Sequence, residues 1–161
     1  MGLVVYDSVH GNTKAVAEAI AEQIRSDGHQ TRVVNSSSDP SKPMDGDFLF
    51  IGSPTRFGTM TGHTKKFIKK LDLAVWGNKP ICAFDSYGPV DEDKLAESKT
   101  NEKLIASGAA KKIHDMLKER GFNARSPVLR LAVTGMKGPL ASGQIDEAKK
   151  YVHEFVLSLG K

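Results

Sequence analysis

Short apolar runs alternate with segments of helical periodicity along this chain, and that alternation is its strongest constraint on fold. Leu3-Val4-Val5-Tyr6 is continuous in its apolar character, as a strand covered on both faces requires. Val16, Ala17, Ile20 and Ile24 then recur at helical spacing over residues 13–25, and Gly28 supplies a stop. Thr31-Arg32-Val33-Val34 is half polar and reads as an edge strand. Residues 36–45 form a Ser/Pro-rich connection with little room for a full helix. Phe48-Leu49-Phe50-Ile51, Pro80-Ile81-Cys82-Ala83-Phe84 and Leu129-Arg130-Leu131-Ala132-Val133 are the remaining strands, with helices expected over 63–71, up to Gly121, and from Ile145 to Leu159. Such alternation implies a parallel sheet with right-handed crossovers and helices on both faces. Ligands of these sheets collect beyond the carboxyl ends of the strands, where strand order reverses. The loops after Tyr6, Ser53 and Phe84 are therefore the places to look.

The chain's 161 residues suit one domain, and neither a fixed-period repeat nor a Gly/Pro/Ser-rich linker divides it. No apolar stretch approaches the ~20 residues of a membrane helix. MGLVVYD opens directly on a strand pattern without a basic signal-peptide region. Cys82 is the single cysteine, which rules out an intrachain disulfide and suits a reducing cytoplasm. The histidines, at 10, 29, 63, 114 and 153, form no metal-binding pair at helical spacing, so no metal site is expected.

A net charge of +4 favours acidic partners without specifying them. Lys65, Lys66, Lys69 and Lys70 flank Phe67, Ile68 and Leu71, the arrangement of a solvated helix face or of a docking patch. No aromatic residues interleave with them as a nucleic-acid stacking surface requires.

The first loop runs Ser8-Val9-His10-Gly11-Asn12-Thr13 into a helix start. The first amides of a helix lack internal partners and its dipole favours negative charge, so these residues can cradle an anion. They can equally be a turn and an N-cap, and taken alone the loop does not decide between them. The spacing excludes a Walker A loop and the dinucleotide GxGxxG. No Lys or Arg lies in residues 7–12, so an anion there would meet neutral donors and the helix end. The second loop, GSPTRFGTMTG, sets apolar Pro54, Phe57 and Met60 among the donors Thr55, Arg56 and Thr59, with Gly58 and Gly62 in the backbone. The third, Asp85-Ser86-Tyr87-Gly88, offers a phenol and a small-residue turn. One loop suited to phosphate and two suited to a flat heteroaromatic ring point to flavin mononucleotide (FMN).

These loops resemble those of the flavodoxins. SVHGNT is similar to the family's Ser/Thr-x-Thr-Gly-Asn-Thr phosphate loop, with His10 where Thr is usual. SPTRFG resembles the flavin loop of WrbA-type NAD(P)H:quinone oxidoreductases. FDSYG and the later SGAAKKI resemble the flavodoxin domain of A-type flavodiiron proteins. The resemblance implies an α/β three-layer sandwich, a single domain over residues 1–161, with a five-stranded parallel sheet in order 2-1-3-4-5. It implies FMN as cofactor, its phosphate held by Ser8, Val9, His10, Gly11, Asn12 and Thr13. Pro54, Thr55, Arg56, Phe57 and Gly58 would line the ring, and Asp85, Ser86, Tyr87 and Gly88 would close its other side.

In chemical terms, backbone groups around Phe57-Gly58 could reach flavin N5. Arg56 near the N1/C2 edge would raise the potential, and Asp85 close to the ring would lower it. Asp85 stands where related loops have Gly, and residues 89–106 (PVDEDKLAESKTNEKLIA) read as a polar insert before SGAAKKI. Trp76 is expected to anchor the connection before the fourth strand. The implied function is electron transfer between partner proteins, cycling through oxidised, semiquinone and hydroquinone flavin, by a cytoplasmic monomer or weak homo-oligomer. An NAD(P)H-dependent quinone reductase is the alternative. A receiver domain would need clustered carboxylates after the first strand, and only Asp7 is there.

Overall fold

A computed structural model describes residues 1–37, 44–88, 108–135 and 137–159. The strands are β1 (Gly2–Tyr6), β2 (Thr31–Asn35), β3 (Phe48–Pro54), β4 (Pro80–Tyr87), β5 (Asn123–Ala124) and β6 (Leu129–Ala132). The helices are α1 (Asn12–Ser26), α2 (Gly62–Lys70), α3 (Leu73–Trp76), α4 (Ala109–Glu119) and α5 (Gln144–Leu159). The sheet is parallel in the order β2-β1-β3-β4-β5, and β6 also pairs with β4. This is the expected 2-1-3-4-5 order with the fifth position divided. Asn123–Ala124 pairs with the start of β4 and Leu129–Ala132 with its end, so the sheet has six strands where the sequence suggested five. The expected insert at 89–106 lies outside the described residues.

Residues alternate between two cores, as period-2 geometry dictates. Leu3, Val5, Leu49, Ile51, Ile81 and Ala83 face α2, α3 and α4, packing on Phe67, Ile68, Leu71, Trp76, Ile113 and Leu117. Val4, Phe48, Phe50, Cys82, Phe84 and Leu131 face α1 and α5, packing on Val16, Ile20, Ile24, Ala148 and Val152. The result is a three-layer sandwich with both sheet faces covered, which explains why its central strands read as unbroken apolar runs. Trp76 is buried in the first core, and the Lys79 ammonium stands over its ring at 5.0 Å. Lys65, Lys66, Lys69 and Lys70 are exposed on α2, while Phe67 and Ile68 point inward. No helix among the described residues is long and apolar enough to cross a membrane.

His114 is buried on α4 with its Nδ1 unpartnered. Burial, then Lys111 and Lys118, hold its imidazole below the ordinary histidine range. The neutral ring is thus favoured by folding, and the unfolded chain binds more protons between the folded value and about 6.5. The stability it contributes is complete above that pH and is lost as pH falls through the folded value. Urea midpoints measured at pH 7.5 and 5.5 should therefore drop more for the unmodified protein than for His114→Gln. Equal drops would remove His114 as the cause.

Candidate functional site

The parallel register brings the ends of β1, β3 and β4 together, with β1 at the position where the chain reverses direction across the sheet. Their loops enclose an open cleft of ≈ 220 Å³. Ser8, Val9, His10, Asn12 and Thr13 line it from the first loop, Pro54, Thr55, Arg56 and Phe57 from the second, and Ser86, Tyr87 and Gly88 from the third. Val133, just beyond β6, completes the lining. The sequence pattern places Val133 as the last residue of the final strand, and that carboxyl-end position is the signal for its role. Gly11 and Gly58 belong to the loops without lining the cleft.

In the first loop the helix start is built without a side-chain cap. Gly11 is the N-cap residue, in the left-handed region at φ 91°, where a side chain would cost roughly 1–2 kcal/mol. Ser8 Oγ accepts from the Gly11 amide at 3.0 Å and from the Lys14 amide at 3.4 Å. Both bonds use oxygen lone pairs, so the Ser8 hydroxyl proton remains for an outside acceptor. Among the described residues no protein acceptor meets the amides of Asn12 or Thr13. Thr13 Oγ1 lies 2.8 Å from Ser86 Oγ, which ties the first loop to the third. Asp7, the one acid at the end of β1, accepts from the Ser8 amide at 2.9 Å and from the Thr61 hydroxyl.

The second loop turns on a two-residue hairpin. Arg56 and Thr59 exchange both backbone hydrogen bonds, at 2.9 and 3.0 Å, around Phe57 (φ 52°) and Gly58 (φ 76°). Positive φ at both central residues is the type I′ pattern, which favours Asn-Gly or Gly-Gly. A phenylalanine in left-handed backbone carries a local cost, and its ring is fully exposed at the rim of the cleft.

Asp85 departs from the expected ring-facing position. It is fully buried and absent from the cleft lining. Its β4 alternation puts it on the Ile81 and Ala83 face, toward α4, where Ala110 N donates to Oδ2 at 3.0 Å. The Thr55 hydroxyl also donates to Oδ2, at 3.0 Å, and Arg130 Nε reaches both oxygens at 2.9 and 3.2 Å. Burial pushes the carboxyl up, against the pull of Arg130 and these donors. Tyr87 lies half-buried at the cleft wall, its phenol raised chiefly by burial.

The donor set fits FMN. Two unpartnered helix-start amides and a hydroxyl with a free proton suit a phosphate, and Pro54, Phe57, Tyr87 and Val133 suit a flat ring. A doubly wound sheet with this cleft at its reversal point defines a flavodoxin-like nucleotide-binding protein. The flavodoxin domain family model matches residues 3–120, and the chain belongs to that family, whose cofactor is FMN. It is 36% identical over 91 residues to a flavodoxin of Aquifex aeolicus, an alignment covering 53% of this chain and 49% of the relative. The chain thus spans about half or less of the curated relatives it matches. In structure it is similar to a flavodoxin from the domain Archaea, with a TM-score of 0.74 and 24% identity across 100% of both chains. It is also similar to part of the rubredoxin oxygen:oxidoreductase of Desulfovibrio gigas, with a TM-score of 0.73 and 20% identity over 99% of this chain and 36% of that one.

Proposed function

We propose that this protein carries electrons between redox partner proteins with FMN held in the cleft at the ends of β1, β3 and β4. The observation that carries the reading is the pairing, in one cleft, of an unpartnered helix start with an exposed aromatic rim. Ser8, the amides of Asn12 and Thr13, and the Thr13 hydroxyl hold the phosphate. Phe57 and Tyr87 supply apolar walls for the ring, and Phe57 gains by being covered what its left-handed backbone costs. FMN, when bound, supplies reversible one- and two-electron reduction of its ring, and the protein tunes it. Arg56, exposed on the lining, would favour negative charge on a ring held there.

The partner is acidic in this reading. The exposed lysines of α2 follow directly on the flavin loop, so an acidic surface docked there lies next to the cleft. A reducing cytoplasm suits the single buried cysteine, Cys82.

The test uses protein reconstituted with FMN. As a carrier it should oxidise NADPH negligibly with a benzoquinone present, yet pass electrons to an acidic partner protein at rates that fall as salt rises. Rapid NADPH oxidation without a partner reductase would make it a quinone reductase instead. Transfer rates indifferent to salt would remove the basic docking face.

A further inference from the structure

Asp7 follows β1 directly, and its side chain is only 11% exposed. A carboxylate buried to that extent needs hydrogen bonds, and its two oxygens take them from different loops. Oδ1 accepts from the Ser8 amide at 2.9 Å, at the root of the first loop. Oδ2 accepts from the hydroxyl of Thr61, at the far end of the second loop, and His63 Nδ1 of α2 stands 3.7 Å from the same oxygen. The Thr61 proton is committed to Asp7, so the hydroxyl of buried Thr64 donates to Thr61, at 2.9 Å. The Thr61 amide donates to Ser53 Oγ at 3.0 Å, which draws the two ends of the second loop together. The second loop is thus closed at its base, and one carboxylate fastens that base to the first loop. Neither Asp7 nor Thr61 lines the cleft.

We propose that Asp7 is a positioning residue that holds the first and second loops at one fixed separation, so that the cleft selects phosphate and ring joined in FMN over either part alone. The proposal rests on the reading of the cleft as the flavin site. FMN joins its ring to its phosphate by a short chain. Once one end is bound, the other meets its loop at the effective concentration this chain sets, and only where the two loops stand at the matching distance. By charge alone, Asp7 would oppose a phosphate in the first loop. Its contribution lies in its two hydrogen bonds, which a neutral side chain of the same shape can reproduce. An Asn oxygen accepts from the Ser8 amide, and the Thr61 hydroxyl, an acceptor as well as a donor, turns to meet the Asn NH2. Ala reproduces neither bond.

The test compares Asp7→Ala, which cuts both bonds, with Asp7→Asn, which removes only the charge, and Thr61→Val, which keeps the charge and cuts the link. Urea unfolding of the apoproteins identifies the variants that fold. Each is titrated with FMN and riboflavin by fluorescence quenching, and with inorganic phosphate by competition against FMN. The preference for FMN over riboflavin should fall about tenfold in Asp7→Ala and in Thr61→Val, the scale of one hydrogen bond to a charged group. Riboflavin alone and inorganic phosphate alone should each bind within about threefold of their affinity for the unmodified protein, because each needs one end of the cleft only. Asp7→Asn should keep the FMN preference to within about threefold. An unchanged preference in folded Asp7→Ala and Thr61→Val overturns the proposal and leaves the flavin site intact. A preference that rises in both Asp7 variants does the same, making Asp7 a source of repulsion only. A matching loss of inorganic phosphate affinity confines Asp7 to shaping the first loop and also overturns it. Failure of the unmodified protein to bind FMN overturns the site reading itself.

Discussion

Gly52→Ala should lower the stability of the protein by about 2–3 kcal/mol or more, which is the upper end of what overpacking a core costs. Gly52 lies in the middle of β3, paired with Tyr6 on one side and Phe84 on the other. A Cβ at this position would stand 2.2, 2.3 and 2.4 Å from three ring atoms of Phe84. The ring cannot turn away freely, because Phe84 is fully buried in the core beneath α1 and α5. Either it leaves its rotamer or the two strands separate, and both responses disturb close packing. The damage reaches the cleft as well. The Gly52 carbonyl accepts from the Asp7 amide at 3.1 Å, at the root of the first loop, and Pro54 of the same strand lines the cleft. Urea denaturation should show a lowered midpoint with an unchanged slope, and Phe84→Leu added to Gly52→Ala should recover part of the loss. Gly62→Ala is the control. It sits at the exposed first residue of α2 with open space around its Cβ, so it should be neutral or slightly stabilising. If the two glycine variants unfold alike, the contact with Phe84 is not what requires glycine in β3.

The sequence disclosed the central strands because burial on both faces leaves a chemical trace: Leu3 to Tyr6 and Phe48 to Ile51 are apolar at every position. It disclosed α1 through its apolar spacing, with ends displaced by a residue from the 13–25 expected. β5 left no such trace. Asn123 and Ala124 are polar or small, and they are held as a strand by pairing with Pro80 and Ile81 rather than by their own pattern. The loops of the cleft are legible from their place after Tyr6, Ser53 and Phe84, at the carboxyl ends of parallel strands, since glycines and hydroxyls are also the ordinary company of turns. Asp85 departs from the expected position for a definite reason: strand alternation, not membership in the loop motif, sets the direction of its side chain. Counting by twos from Ile81 and Ala83 puts Asp85 on the α4 side, away from the face of Phe84 and Ser86. A lone Asp in one apolar strand and a lone Arg in another are also a pattern that calls for pairing, since neither charge is tolerated inside by itself. What the sequence could not show is that the two strands are neighbours in register.

In the first loop, Ser8→Ala combined with Thr13→Val should weaken FMN binding by about a hundredfold and leave riboflavin binding nearly unchanged. Hydrogen bonds to charged groups contribute about 1.5–3 kcal/mol each. Two of them, discounted for sharing one phosphate, amount to a hundredfold at 1.4 kcal/mol per decade. The Ser8 proton is free because its oxygen already accepts two amides, and the Thr13–Ser86 hydroxyl pair can turn one proton outward. Residues 7–12 contain no Lys or Arg, so neutral donors carry more of the phosphate's stabilisation than they would beside a salt bridge. The structural cost is separable. Ser8→Ala removes the oxygen that accepts from the Gly11 and Lys14 amides, at about 1 kcal/mol, and Thr13→Val keeps its shape while taking a partner from the Ser86 hydroxyl. Urea unfolding of the apoprotein therefore measures the cost to the fold, while flavin fluorescence quenching measures the ligands. Riboflavin lacks the phosphate and retains the ring, so a ring-side or global defect would weaken both flavins together. Equal affinity of the unmodified protein for FMN and riboflavin would show that the helix start is only a turn and a cap. A selective loss of FMN makes SVHGNT the residues that recognise the phosphate.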